Sequence, residues 1–118
     1  MNVEELRDYC LSLPKSREGM PFSSFFRNSR AILVFYNENK MFCLFDIERF
    51  DSCTIKCSPD EIPELKERYS AVGPPFNLSH KHWIKISFND DMSDQTLLSL
   101  IYKSYLLVSQ SKKIRDKR

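Results

Sequence analysis

The hydrophobic pattern of the chain starts with a helical period, passes through short apolar runs in the middle, and returns to a helical period at the end. Val3, Leu6, Cys10 and Leu13 recur at helical spacing behind an Asn2/Glu5 capping pattern, and Pro14 ends the run. That predicts a first helix with a narrow apolar stripe, lying on one face of something larger. Residues 15–22, "KSREGMPF", read as a connection. From Ser24 the runs "SFFRN", "AILVFYN", "KMFCLFDI" and "DSCTIKC" carry strand-forming residues, separated by polar turns at 28–30, 37–39 and 48–50. Links this short predict an antiparallel meander.

A second helix follows, with two candidate starts. Ser58 with Glu61 forms a capping box with Pro59 at the first helical position. Asp60 as N-cap instead places Pro63 where a missing N–H costs nothing, and this start is preferred, or a tight first turn blending both. Ile62, Leu65 and Tyr69 then face inward. After the Gly-Pro-Pro break at 73–75 the chain is extended and irregular, because proline cannot donate to a ladder, and a strand begins near Lys81. Past the turn "NDDM", Ser93 or Asp94 caps a last helix in which Leu97, Ile101, Tyr105 and Val108 share a face. Leu98, Leu100, Leu106 and Leu107 broaden that face. The sum is a single α+β domain over 1–118, in the order α-β(3–4)-α-β(1–2)-α. It is a two-layer fold, an antiparallel sheet with the helices packed on one face.

Bulk composition changes this picture little. At 118 residues, 42% hydrophobic and 29% charged, with nine Phe and five Tyr, the chain has ordinary globular content. The longest apolar run, "AILVFY", is far short of the roughly 20 residues of a membrane helix, and the start lacks a signal-peptide pattern; a cytoplasmic location is expected, with the cysteines as thiols. Cys53 and Cys57 on one strand are roughly 13 Å apart, too far for a disulfide or a shared zinc. The bland reading of all four cysteines is small buried hydrophobes.

Charge is unevenly placed. The basic end, residues 112–118, "KKIRDKR", holds five of the 18 basic residues and one of the 16 acidic ones, leaving a body of 13 basic and 15 acidic. Strong electrostatic binding of nucleic acid by the whole domain is therefore not implied, although the end itself could attract a polyanion.

Candidate chemistry concentrates in "NLSHKHWIKISF", residues 77–88. Strand alternation puts His80, His82, Ile84, Ile86 and Phe88 on one side and Lys81, Trp83, Lys85 and Ser87 on the other. On this reading His82 is a structural histidine at the edge of the core, its ring bonded to nearby backbone. Lys81, Trp83 and Lys85 form a lysine–aromatic–lysine row on the open face, an aromatic platform with flanking phosphate contacts that Arg27, Arg30, Lys40 and Lys56 could widen. The plainer reading is a solvated, lysine-rich sheet face with Trp83 covering apolar surface. No carboxylate or cysteine stands at ligand spacing from His80 and His82, so no metal is expected. Nucleophile elbow, Walker loop and dinucleotide fingerprint are all missing, and two glycines cannot build the usual phosphate-cradling loop, so neither an enzyme nor a cofactor is expected.

The runs "LKERYSAVGPPFNLSHKHWIKISF", "TIKCSPDE", "GMPF", "NKMFCLF" and "IYKSYLLVSQSKKIR" together resemble the MmcQ/YjbR family of small bacterial proteins. Matching positions are Lys56, Cys57, Pro59, Lys81, His82 and Trp83, with Pro21–Phe22 and the Lys40/Phe42 pair before them. Ser23 stands where many members have glycine, and Gly73 and Pro75 alter the loop before the histidines. The resemblance implies a YjbR-like fold, akin in layout to secretion chaperones and the CyaY/frataxin group. It further implies DNA binding through a "double wing" of strands, and it brings no catalytic residues. The expected partner is DNA, bound weakly and without sequence preference. The alternative is a protein-interaction or chaperone-like module, and a monomer or weak dimer fits either.

Overall fold

The computed structural model describes residues 1–21 and 31–116. Among the described residues three helices and six strands follow in the order α1 (Val3–Ser12), β1 (Ser16–Gly19), β2 (Ile32–Asn37), β3 (Lys40–Asp46), β4 (Ser52–Lys56), α2 (Ile62–Arg68), β5 (Val72–Gly73), β6 (Trp83–Ser87) and α3 (Asp94–Asp116). The strands form one sheet in the order β1-β2-β3-β4-β6-β5, every pairing antiparallel. This is the expected α+β two-layer arrangement.

The predicted caps of the first and last helices have their partners. The Asn2 side chain accepts from Glu5 N–H and the Glu5 carboxylate accepts from Asn2 N–H, both at 2.9 Å, closing the box at the start of α1. The Ser93 hydroxyl accepts from Thr96 N–H at 3.1 Å ahead of α3. At α2 neither side-chain cap forms, and the tight first turn is the alternative that holds. Glu61 N–H bonds Ser58 O at 3.0 Å in a tight turn, and the helix opens at Ile62 with no side-chain cap, because Pro63 already removes one of the orphan donors.

One layer of side chains joins the helices to the sheet. Leu6 and Cys10 of α1 and Leu97, Ile101, Tyr105 and Val108 of α3 pack in one cluster with Leu33, Phe35, Cys43, Phe45, Cys53, Ile55, Ile84 and Ile86 of the strands. Burying a side chain of this size stabilises the fold by about 1.5–3 kcal/mol, so α3, with four such residues on one stripe, is the main cover. All four cysteines are buried free thiols.

Two departures from the sequence reading set up the site. First, residues 16–19 of the expected connection are β1, pairing Ser16 with Asn37 through Gly19 with Val34. Its sequence, SREG, has no apolar alternation because it is an edge strand held by polar contacts. Arg7 of α1 grips Glu18 with two bonds of 2.6 Å, and the Arg17 guanidinium lies over the Tyr36 ring at 4.2 Å. The expected strand "SFFRN" and the 28–30 turn lie outside the described residues.

Second, the β2–β3 register shifts between Phe35 and Tyr36, so that Phe35 faces Cys43 but Tyr36 faces Met41. Phe42 is the extra residue of a bulge, and both Phe42 and Cys43 are fully buried. One inserted residue reverses the alternation beyond it. Lys40, opposite Asn37, thereby shares the helix side of the sheet, where Asn37 Nδ2 donates to Tyr105 O at 3.4 Å and to Ser109 Oγ.

Candidate nucleic-acid interface

The face of the sheet away from the helices is organised by register. One row runs across all six strands: Gly19, Val34, Leu44, Thr54, Lys85 and Gly73 are successive cross-strand partners. A neighbouring row pairs Lys56 of β4 with Trp83 of β6. Lys56, Trp83 and Lys85 therefore share one face, as alternation within β6 requires, while Ile84 and Ile86 enter the core.

Trp83 is only 9% exposed and stands outside the main core cluster. Extending the Gly73–Lys85 register by two places brings Pro75 level with Trp83, and Pro75 is buried as well. Trp83 is thus part of the wall of this face and offers no open ring to a base. Lys85 is exposed, and Lys56 is half-buried.

Ahead of β6 the chain is a turn, not a strand. Ser79 O accepts from His82 N–H at 3.2 Å and from Trp83 N–H at 3.0 Å, and the Ser79 hydroxyl accepts from Lys81 N–H at 3.3 Å. Alternation therefore starts at Trp83. His82 is exposed and does not enter the core; its structural role is carried by its carbonyl, which accepts from Cys57 N–H at 2.8 Å and joins this turn to the end of β4. His80 and Lys81 are exposed on the same turn.

Of the other expected contact residues, Lys40 is on the helix side, and Arg27 and Arg30 lie outside the described residues. What pattern-reading missed is Phe76. It is 78% exposed, in the loop between β5 and β6, and Asn77 beside it is left-handed at φ 57°. The sequence signal was there in "PPFN", where two prolines and an asparagine fix a turn with an aromatic at its tip.

Electrostatically the segment is one-sided. Between Val72 and Phe88 there is no Asp or Glu, while Lys81, Lys85, His80 and His82 all fall within it. At the far end of the same sheet face, the Asp46 carboxylate is taken up by the N–H groups of Glu48 and Arg49 at 2.8 and 3.1 Å. On α2's leading turn, Glu61 is paired with Lys103 at 2.5 Å. Among the described residues no cluster of three His, Cys, Asp or Glu side chains could hold a metal ion.

A second feature lies on the helix side. A notch of about 160 Å³ opens between α3 and the β4–α2 connection, lined by Ile55, Cys57, Leu100, Leu106 and Leu107 with the Lys103–Glu61 pair. Burial pushes the Cys57 thiol up to about 11, with Glu61 adding to the shift, so it is not a poised nucleophile.

A family model described as YjbR matches residues 11–107. The chain belongs to the YjbR family. It is 23% identical over 106 residues to the Escherichia coli K12 protein titled "Uncharacterized protein YjbR", covering 89% of this chain and 85% of that one, and equally similar to its O157:H7 counterpart. Among solved structures, a Deinococcus radiodurans protein with a DUF419 domain superposes with a TM-score of 0.78 at 30% identity, covering 92% of this chain and 78% of that one. A Pseudomonas syringae protein gives 0.72 at 21% identity over 91% and 98%. Both solved neighbours share this fold, and no described helix here is long and apolar enough to cross a membrane.

Proposed function

We propose that the protein is a non-enzymatic nucleic-acid-binding module that holds DNA weakly and without sequence preference, using the β4–β6 end of the open sheet face and the turn leading into it. The observation that carries this reading is the placement of Lys81 and Lys85, both exposed, beside the Lys56–Trp83 cross-strand pair within a segment free of carboxylates. Lysines at such positions supply phosphate contacts, which position a backbone without reading bases. With only two or three cations engaged, affinity is modest and the salt dependence shallow. Trp83 acts here as a wall beneath the lysines and not as the platform. Anisotropy of labelled duplex and single-stranded oligonucleotides at low and physiological salt tests the reading; no binding to either at low salt ends it.

One observation favours a second reading, a protein-interaction module. Tyr102 and Leu106 are exposed on α3, and Leu106 also lines the apolar notch. Sedimentation of the wild type against Leu106→Glu tests it: a dimer that the substitution dissolves supports it, and a monomer at all concentrations counts against self-association there.

A further inference from the structure

The geometry points to single-stranded nucleic acid as the ligand of this surface, held by an unpaired base stacked on Phe76 with the adjoining phosphates on Lys81 and Lys85. The inference rests on the nucleic-acid reading above and goes beyond it by choosing the class of strand and the residue that selects it.

Phe76 stands apart among the exposed large hydrophobics of the described residues. It is 78% exposed, whereas the next, Tyr102, is 43%. A lone exposed apolar residue needs no explanation by itself; the loop around this one supplies the second observation. Pro74 and Pro75 restrict the backbone before it, and Pro75 is buried, pinning the base of the loop to the sheet. Asn77 takes the left-handed turn after it, and the Ser79 turn fixes the return to β6 through three hydrogen bonds. The ring is thus held in water by a preorganised loop, so ordering it on binding costs little.

Charge selects the partner. The loop that carries Phe76 joins β5 to its neighbour β6, in which Lys85 is the partner of Gly73, and it leads into the turn that carries the exposed His80, Lys81 and His82. An exposed aromatic ring in a segment that carries Lys81 and Lys85 and no Asp or Glu from Val72 to Phe88 suits a polyanion that also presents π-faces. A duplex keeps its bases stacked inside and offers this ring nothing short of intercalation. A single strand offers a base at every phosphate, and each can stack on an exposed ring. Because so few cations are present, stacking must carry a large share of the affinity, and only the unpaired strand supplies it.

The test compares the wild type with Phe76→Ala, Phe76→Leu, Phe76→Trp and the double variant Lys81→Glu/Lys85→Glu on labelled oligo(dT), oligo(U) and a DNA duplex of equal length, at low salt. Phe76 is exposed, so its variants keep the wild-type circular dichroism and melting temperature. The expected result is about fivefold or greater loss of single-strand affinity for Phe76→Ala. Phe76→Leu shares that loss, Phe76→Trp retains or gains affinity, and duplex binding stays within about twofold. If the lysine variant weakens binding while Phe76→Ala does not, or weakens both strand classes equally, the surface reading stands and the stacking inference is overturned. If neither strand class binds the wild type, both fall. Binding to phosphatidylserine vesicles that requires Phe76, with no oligonucleotide binding, also overturns the inference and assigns the loop to a membrane surface.

Discussion

The Ser104 hydroxyl stands between two strands: it donates to Phe42 O at 2.6 Å and accepts from the Lys56 N–H at 2.9 Å. The β3–β4 register, Cys43 with Ile55 and Phe45 with Cys53, would make Phe42 and Lys56 the next partners. The bulge at Phe42 ends the ladder there, and a side chain from α3 takes the place of the missing bond.

Ser104→Ala leaves both backbone groups without this partner in a buried setting and is expected to cost about 1–3 kcal/mol, read as a lower urea midpoint at unchanged slope. An unchanged midpoint would mean that water replaces the hydroxyl. The same bridge fixes the end of β4 that presents Lys56 opposite Trp83, which links the core to the candidate surface.

Lys40 and Lys85 separate the two sides of the sheet. Charge reversal at Lys85 is expected to weaken oligonucleotide binding severalfold, whereas Lys40→Glu, placed on the helix side by the bulge, leaves it unchanged. Equal loss in both would contradict the assigned face.

Trp83 is expected to show blue-shifted emission poorly quenched by iodide, and oligonucleotide addition is expected to leave that emission nearly unchanged. Trp83→Ala should destabilise by about 3–5 kcal/mol and Trp83→Phe by less. Ready quenching by iodide would show an exposed indole and restore it as a platform.

The buried thiols give an alkaline signature. Cys57 is pushed up to about 11 and Cys43, hydrogen-bonded to Cys10 and Cys53, is also raised. A thiol that keeps its proton longer when folded lets the unfolded chain ionise first. Stability therefore falls as pH rises from the ordinary thiol range near about 8.5, through about 11 for Cys57. Below that window this contribution is constant. Urea midpoints from neutral to alkaline pH, compared with Cys57→Ala, check it: the variant should lose part of the slope.

Most of the fold is legible in the sequence. The Asn2/Glu5 box, the Leu97–Val108 stripe and the apolar runs of β2, β3 and β4 are local signals, and each formed the element expected. β1 was not readable because SREG carries no apolar period; it is a strand only because Tyr36 and Arg7 provide partners from elsewhere in the chain. Plain alternation gives Lys40 to the open face, because nothing in "NKMFCLF" announces the bulge. Alternation alone puts His82 in the core, because it runs on past the start of β6 into a turn whose hydrogen bonds to Ser79 are invisible in composition. Trp83 shares the face that was expected, but its burial depends on packing from outside the strand.

Whether the carboxylate-free segment around β6 meets nucleic acid is read most directly from a salt titration of oligonucleotide affinity for wild type and Lys81→Glu/Lys85→Glu. Two or three phosphate contacts predict a slope of log affinity on log salt of about −2, or on the order of 15-fold loss over a fourfold rise in salt. The double variant should bind at least about tenfold more weakly, with a slope closer to zero. Wild-type affinity and slope retained by the double variant would place any nucleic-acid contact elsewhere on the molecule and contradict the account.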